Sequence, residues 1–107
     1  MADETSFQFL ADELATKAKN LGNLGVKLRF VFEGEGAVFI DATSDDVVVT
    51  QDETLPADVT ISAAHNIWLE LRAKRLAPHV AAMTRKIKVS GDLVRGMALA
   101  PKIMAVL

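Results

Sequence analysis

Along the first fifth of the chain, apolar residues return at the spacing of a helix. Phe7, Leu10, Ala11, Leu14, Ala15, Ala18 and Leu21 fall at i, i+3, i+4, i+7, i+8, i+11 and i+14, a single stripe that predicts an amphipathic helix ending before Gly22. Thr5-Ser6-Phe7-Gln8 has the form of a capping box, a hydroxyl for the early N–H groups and Gln8 three residues after Thr5, so the helix should start there.

After Gly22 and Gly25 the period becomes two: Val26, Leu28, Phe30 and Phe32 alternate with Lys27, Arg29, Val31 and Glu33, the pattern of a half-buried strand. Gly34-Glu35-Gly36 offers the positive φ values of a tight hairpin, Ala37 to Asp41 returns as a second strand, and Thr43 to Asp46 turns the chain into Val47 to Thr50. A three-stranded antiparallel meander follows, then a polar loop from Gln51 to Pro56. Asp58 to Ser62 reads as a fourth strand, with Ser62 placed to cap a helix carrying Ile67, Trp68 and Leu71. Pro78 suits the first turn of a short helix through Met83, and Lys86 to Ser90 alternates as a fifth strand with Ile87 and Val89 inward. Asp92 to Leu107 is helical in pattern, with Pro101 expected to break or kink it. Val26 to Phe32, with Ile40, Ile61, Ile87 and Val89, should form the sheet wall that faces the helices.

Composition narrows the class. At 107 residues, 50% apolar and 24% charged, the chain fits one compact domain spanning 1–107 and is too apolar for disorder. The absence of cysteine excludes disulfides, thiolate metal sites and cysteine nucleophiles, and points to a reducing compartment. The N-terminus opens with carboxylates where a secretory signal carries cations, and no apolar run approaches the roughly 18 residues of a membrane span; a cytoplasmic location is expected. Net charge is only -2, yet from Asn66 onward eight Lys and Arg oppose Glu70 and Asp92 alone. Such asymmetry can mark a surface for anionic headgroups or phosphates, or simply charges paired within the fold or solvated.

Catalytic constellations are mostly missing. Gly34-Glu35-Gly36-Ala37-Val38-Phe39 begins like a dinucleotide fingerprint but fails at Phe39 and joins two strands. There is no Walker-type loop, no Gly-x-Ser-x-Gly elbow and no tyrosine, so neither an enzyme nor a cofactor is expected. His65 and His79 are too far apart for a helical metal pair, and the acids around Asp41, Asp45 and Asp46 lack the glycine and terminal glutamate of a calcium loop. Sparse aromatics and the small net charge argue against nucleic acid. Met83, Met97 and Met104 lie late in the chain beside Trp68, Leu71 and Leu93; flexible thioethers fill ordinary cores, and they also line sites for ligands of variable shape.

Leu76-Ala77-Pro78, Ala81-Ala82-Met83 and Lys86-Ile87-Lys88-Val89-Ser90-Gly91-Asp92 resemble the signature of the sterol carrier protein 2 (SCP-2) lipid-binding domain. Asp58-Val59-Thr60-Ile61 and the early hairpin fall in the matching order, so the resemblance spans nearly the whole chain. Two departures bear on turn geometry and on the tunnel mouth: Lys74 and Arg85 stand where the family usually has glycine. The terminal Ala105-Val106-Leu107 does not match the Ser-Lys-Leu address of many eukaryotic relatives, and a bacterial stand-alone module is expected.

The resemblance implies an α+β fold, a five-stranded, mainly antiparallel sheet covered by helices on one face and enclosing an apolar tunnel for a lipid tail. Phe30, Ile40, Trp68, Leu71 and Met83 are the expected lining, joined by Leu93, Met97 and Met104 on an adjustable C-terminal lid, with Arg95 and Lys102 holding an anionic headgroup. Burying about fifteen methylenes at roughly 0.8 kcal/mol each offers about 12 kcal/mol, of which association and ordering remove about half, leaving affinity in the micromolar range and broad specificity. The expected function is non-catalytic binding or transfer of a fatty acyl chain (free or as acyl-CoA), a sterol-like lipid or an isoprenoid, with transient membrane contact. The alternative is an accessory interaction protein docking on a lipid or quinone biosynthetic assembly.

Overall fold

The computed structural model describes residues 6–51 and 54–104. Helix α1 (Phe7–Ala18) is capped by Ser6, whose hydroxyl accepts a hydrogen bond from the Phe9 N–H at 3.2 Å. The cap is thus one residue later than the expected Thr5, which lies outside the described residues. Gln8 does not reach back; its amide donates to the Asp12 carboxylate at 2.9 Å. The apolar stripe buries Leu10, Ala11, Leu14 and Ala18.

Five strands follow the alternation closely: β1 (Val26–Glu33), β2 (Gly36–Ala42), β3 (Val48–Thr50), β4 (Val59–Ala64) and β5 (Ile87–Gly91). They form one sheet in the order β3-β2-β1-β4-β5. The meander is antiparallel as expected, β4 and β5 are antiparallel, and β1 and β4 run parallel. Helices α2 (His65–Arg72), α3 (Pro78–Met83) and α4 (Leu93–Met104) complete the α+β fold. Val26, Leu28, Phe30 and Phe32 of β1, Val38 and Ile40 of β2 and Ile61 of β4 make the buried wall against the helices. On the opposite face Arg29 lies over the Phe39 ring and donates to the Leu55 carbonyl, which ties the segment around Leu55 to that face; Phe39 is buried there.

Two expectations need correction. Ser62 is not a helix cap: β4 continues through Ala64, the residue preceding α2, and no side chain caps that helix. Ala63 and Ala64 have little strand propensity of their own; the ladders to β1 and β5 hold them extended. Pro101 does not divide the last helix either, because α4 runs without interruption from Leu93 to Met104; the 105–107 end of that expectation lies outside the described residues. A proline so deep in a helix removes one i to i−4 hydrogen bond, and α4 is long enough to retain the bonds on either side.

The parallel β1–β4 pair is clamped at both ends. At its start the Asp58 carboxylate accepts from the Lys27 N–H at 2.8 Å, and the Asp58 N–H donates to the Lys27 carbonyl at 2.8 Å. At its end the Trp68 indole N–H is shared between the Val31 and Ala63 carbonyls, at 2.9 and 3.0 Å. Trp68 also stacks on Phe32 with centroids 4.8 Å apart and meets Phe30 edge-on at 5.8 Å, contacts worth about 0.5–1.5 kcal/mol each beyond burial. Phe7 meets Phe32 edge-on and lies against Gly36, where an added Cβ would sit 2.9 Å from the ring.

Helices α2 and α3 end in the same way. Lys74 and Arg85 both have φ of 60°. The Lys74 and Arg75 N–H groups donate to the Leu71 and Glu70 carbonyls, and those of Arg85 and Lys86 donate to the Ala82 and Ala81 carbonyls. Each is a Schellman motif, whose left-handed residue is normally glycine. The turn geometry is therefore retained at both departures, at a steric cost of about 1–2 kcal/mol per residue that favourable placement of a cation at a helix C-terminus partly offsets. Lys74→Gly and Arg85→Gly should each raise stability by about 0.5–1 kcal/mol, measured by urea unfolding; a loss of stability in both would refute the strain. At Gly91 (φ 92°) a Cβ would lie 2.2 Å from the Asp58 carbonyl oxygen, a backbone atom fixed by the β1–β4 joint. Gly91→Ala should cost about 3 kcal/mol or more and lower Tm by at least about 10 °C, whereas an unchanged Tm would show that the β4–β5 pairing yields at no cost.

Candidate functional site

Beneath α1 and α2 lies a cavity of about 30 Å³, close to the volume one water occupies in the liquid. Its floor is Leu10, Leu14, Phe32 and Trp68, and its mouth carries Glu13, Lys17 and Arg72. Glu13 bridges the two helices: one carboxylate oxygen meets Lys17 at 3.0 Å, and the other meets the Arg72 guanidinium at 2.9 and 3.0 Å. Arg72 also stands over the Phe9 ring at 5.2 Å. An acyl chain cannot enter this cavity unless α1 and α2 separate and the bridge opens.

The expected lining residues divide into two groups. Phe30, Ile40, Trp68 and Leu71 are buried in the core, and of the four it is Trp68 that lines this cavity. Met83, Leu93 and Met97 are 80%, 52% and 78% exposed, on the flank built from α3, β5 and α4; the Met104 side chain lies outside the described residues. Gly96 lets α4 rest on Val59 and Val89, since a Cβ there would lie 3.4 and 3.7 Å from their methyl groups. Leu93 and Met97, one turn apart, share a side of α4, while Arg95 and Lys102 share a different one. The Arg95 guanidinium donates to the Gly25 carbonyl at 3.3 Å, just before β1, so that side faces β1. The Leu93–Met97 side then looks the other way, toward β5 and the outer edge of the sheet. Val89 shares the core face of β5 with Ile87, yet it is 39% exposed while Ile87 is buried. Apolar surface on the helix-covered face of the sheet is therefore open to water at this edge.

The resemblance singled out Met83, Leu93 and Met97 but passed over Val94, which is 81% exposed on the same helix as the last two. It also passed over Glu13 and Arg72, whose pairing depends on how α1 and α2 cross. Among the described residues no helix is long and apolar enough to cross a membrane.

The Arg72 hydrogen bond, reinforced by Lys17, holds the Glu13 carboxyl below the 4.5 of a free glutamate against a smaller opposing effect of burial. A depressed carboxylate contributes stability above its unfolded pKa and loses it as pH falls through the folded value. Glu13→Gln should thus cost about 0.5–1 kcal/mol at pH 7, and the gap to the unaltered protein should close below about pH 4. A gap constant from pH 7 to pH 3 in urea unfolding would assign the loss to packing instead.

"Non-specific lipid-transfer protein-like 1" of Caenorhabditis elegans is 26% identical over 97 residues, covering 87% of this chain and 82% of its own. The apo form of sterol carrier protein 2 from Yarrowia lipolytica superposes with a TM-score of 0.68 at 15% identity, over 99% of this chain and 94% of that one. A UbiJ-SCP2 ubiquinone synthesis protein superposes at 0.56 with 20% identity, over 87% and 75%. The profile of the SCP-2 sterol transfer family matches residues 7–104, and the chain belongs to that family.

Proposed function

We propose that residues 1–107 act as one non-catalytic lipid-binding and transfer module that holds a fatty acyl, sterol-like or isoprenoid chain. The observation that carries this reading is the partly exposed apolar flank of Val89, Met83, Leu93 and Met97. Water-exposed aliphatic surface of this kind on the core face of a sheet is where an apolar ligand gains most from burial. A tail laid against Val89 and Val59 continues the core inward toward Leu71 and Trp68, and α4, which rests on β4 and β5 through Gly96, is the element that adjusts to it. The sterol carrier protein and lipid-transfer relatives support the same chemistry. Arg95 and Lys102 are the cations on α4 for an anionic headgroup, an exposed contact worth about 1 kcal/mol and weakened by salt. The absence of cysteine fits work in the reducing cytoplasm.

A second reading is an accessory protein that docks on a lipid or quinone biosynthetic assembly through the same flank; the likeness to a ubiquinone synthesis protein favours it. Native mass spectrometry of protein purified from cells separates the two. A co-purifying lipid supports the carrier, and an empty chain that brings down protein partners supports the adaptor. Trp68 is the chain's only tryptophan, so titration with palmitate, palmitoyl-CoA or an isoprenoid alcohol should change its emission and saturate near one ligand per chain. If calorimetry detects no binding of any of the three and no lipid co-purifies, the carrier reading fails.

A further inference from the structure

The chain's own Glu13 closes the cavity beneath α1 and α2. That cavity has an apolar floor, Leu10, Leu14, Phe32 and Trp68, and two cations, Lys17 and Arg72, beside Glu13 at its mouth. One Glu13 oxygen meets the Lys17 ammonium at 3.0 Å, and the other accepts from the Arg72 guanidinium at 2.9 and 3.0 Å. A lipid ending in a carboxylate has the same make-up, an anion at the end of an aliphatic stem. The mouth residues carry two positive charges to one negative, so a second carboxylate is attracted rather than repelled. Arg72 also lies over the Phe9 ring, 5.2 Å from its centroid, and that contact keeps the guanidinium at the mouth when its carboxylate partner changes. The Glu13 side chain is 26% exposed, so a change of rotamer turns it into water without disturbing α1.

We infer that Glu13 is a built-in competitor for a fatty acid: the lipid carboxylate replaces that of Glu13 on Arg72 and Lys17, and the chain parts α1 from α2 along Leu10, Leu14 and Trp68. The inference rests on the lipid-binding reading and gives the ligand a direction. Phe32 is near the end of β1, and in register the core face continues from it to Phe30, Ile61 and Val89, then to Leu28 and Val59. A tail following that row reaches the exposed apolar flank with its head at Arg72. Arg95, which donates to the Gly25 carbonyl just before β1, would hold the head in the reverse orientation; the carboxylate already built in at Arg72 favours the first for a fatty acid. An alcohol of the same chain length opens the bridge without restoring a negative charge to Arg72, so the mouth selects acids over alcohols.

Titration of the full chain with laurate and with dodecanol at about pH 8, where the acid is ionised, tests this through the emission of Trp68, which lies in the cavity floor. The quantity compared is the ratio of the two affinities. Glu13→Gln removes the competitor and keeps both cations, so laurate should gain about tenfold relative to dodecanol. Arg72→Gln keeps the competitor and removes a cation, so the ratio should fall about tenfold. Opposite movements of the ratio are not what a general loss of folding produces. A ratio that stays constant in either variant, or that falls in Glu13→Gln, overturns the inference while leaving the carrier reading intact. So does a ratio that responds to Arg95→Gln/Lys102→Gln instead. If neither lipid binds the unaltered protein, the inference and the carrier reading fall together.

Discussion

The parallel junction between β1 and β4 is the constraint on which the other elements depend. β1 is bonded on one side to the hairpin that follows it and on the other to β4, which begins only at Val59, far along the chain from the end of β1 at Glu33. Closing a connection of that length costs entropy that only specific contacts repay, and parallel pairs are slightly weaker per residue than antiparallel ones. Asp58 supplies both donor and acceptor to Lys27 at one end, and the Trp68 indole joins the carbonyls of Val31 and Ala63 at the other. Because Trp68 is on α2, the second clamp also fixes the helix layer to the sheet. Phe32 and Phe30 receive its ring, Phe7 receives Phe32, and α1 is thereby tied to the same point.

That arrangement explains why the interior is closed on one side and open on the other. Around the clamp, rings and leucines leave a cavity of about 30 Å³ between α1 and α2. Farther out, β5 is bonded to β4 alone, and the helices above it are a six-residue α3 and an α4 held off the sheet by nothing larger than a glycine. Coverage thins from the centre of the sheet to this edge. The apolar exposure of Met83, Val89, Leu93 and Met97 lies at this thinly covered edge.

Much of the fold was legible in the sequence because its signals are local. The alternation in β1, the α1 stripe and Pro78 at the start of α3 each depend on neighbours in sequence. Ser62 misled because its capping tendency competes with ladders on both sides of β4, and those are contributed by residues far away. The strand order and the parallel pair have no local signature. For the site, the sequence marks Asp92 to Leu107 as a helix with Met97 among its apolar residues, but it says nothing about whether another element covers them. The resemblance located Lys74 and Arg85 as departures from glycine; only the dihedral angles show that the chain keeps the glycine geometry with cations in place.

β5 illustrates how such turns shape the outer boundary of a sheet. The residue two before it, Arg85, and its last residue, Gly91, both have positive φ, so the backbone swings out of the strand direction at each end. The free edge left between them is five residues long and carries the exposed Lys88 as its second residue. An unpaired edge is a template on which other chains can add strands, and natural sheets discourage this by keeping such edges short and charged. The two turns thus limit unwanted fibril-like growth at the edge where the apolar flank would otherwise invite it.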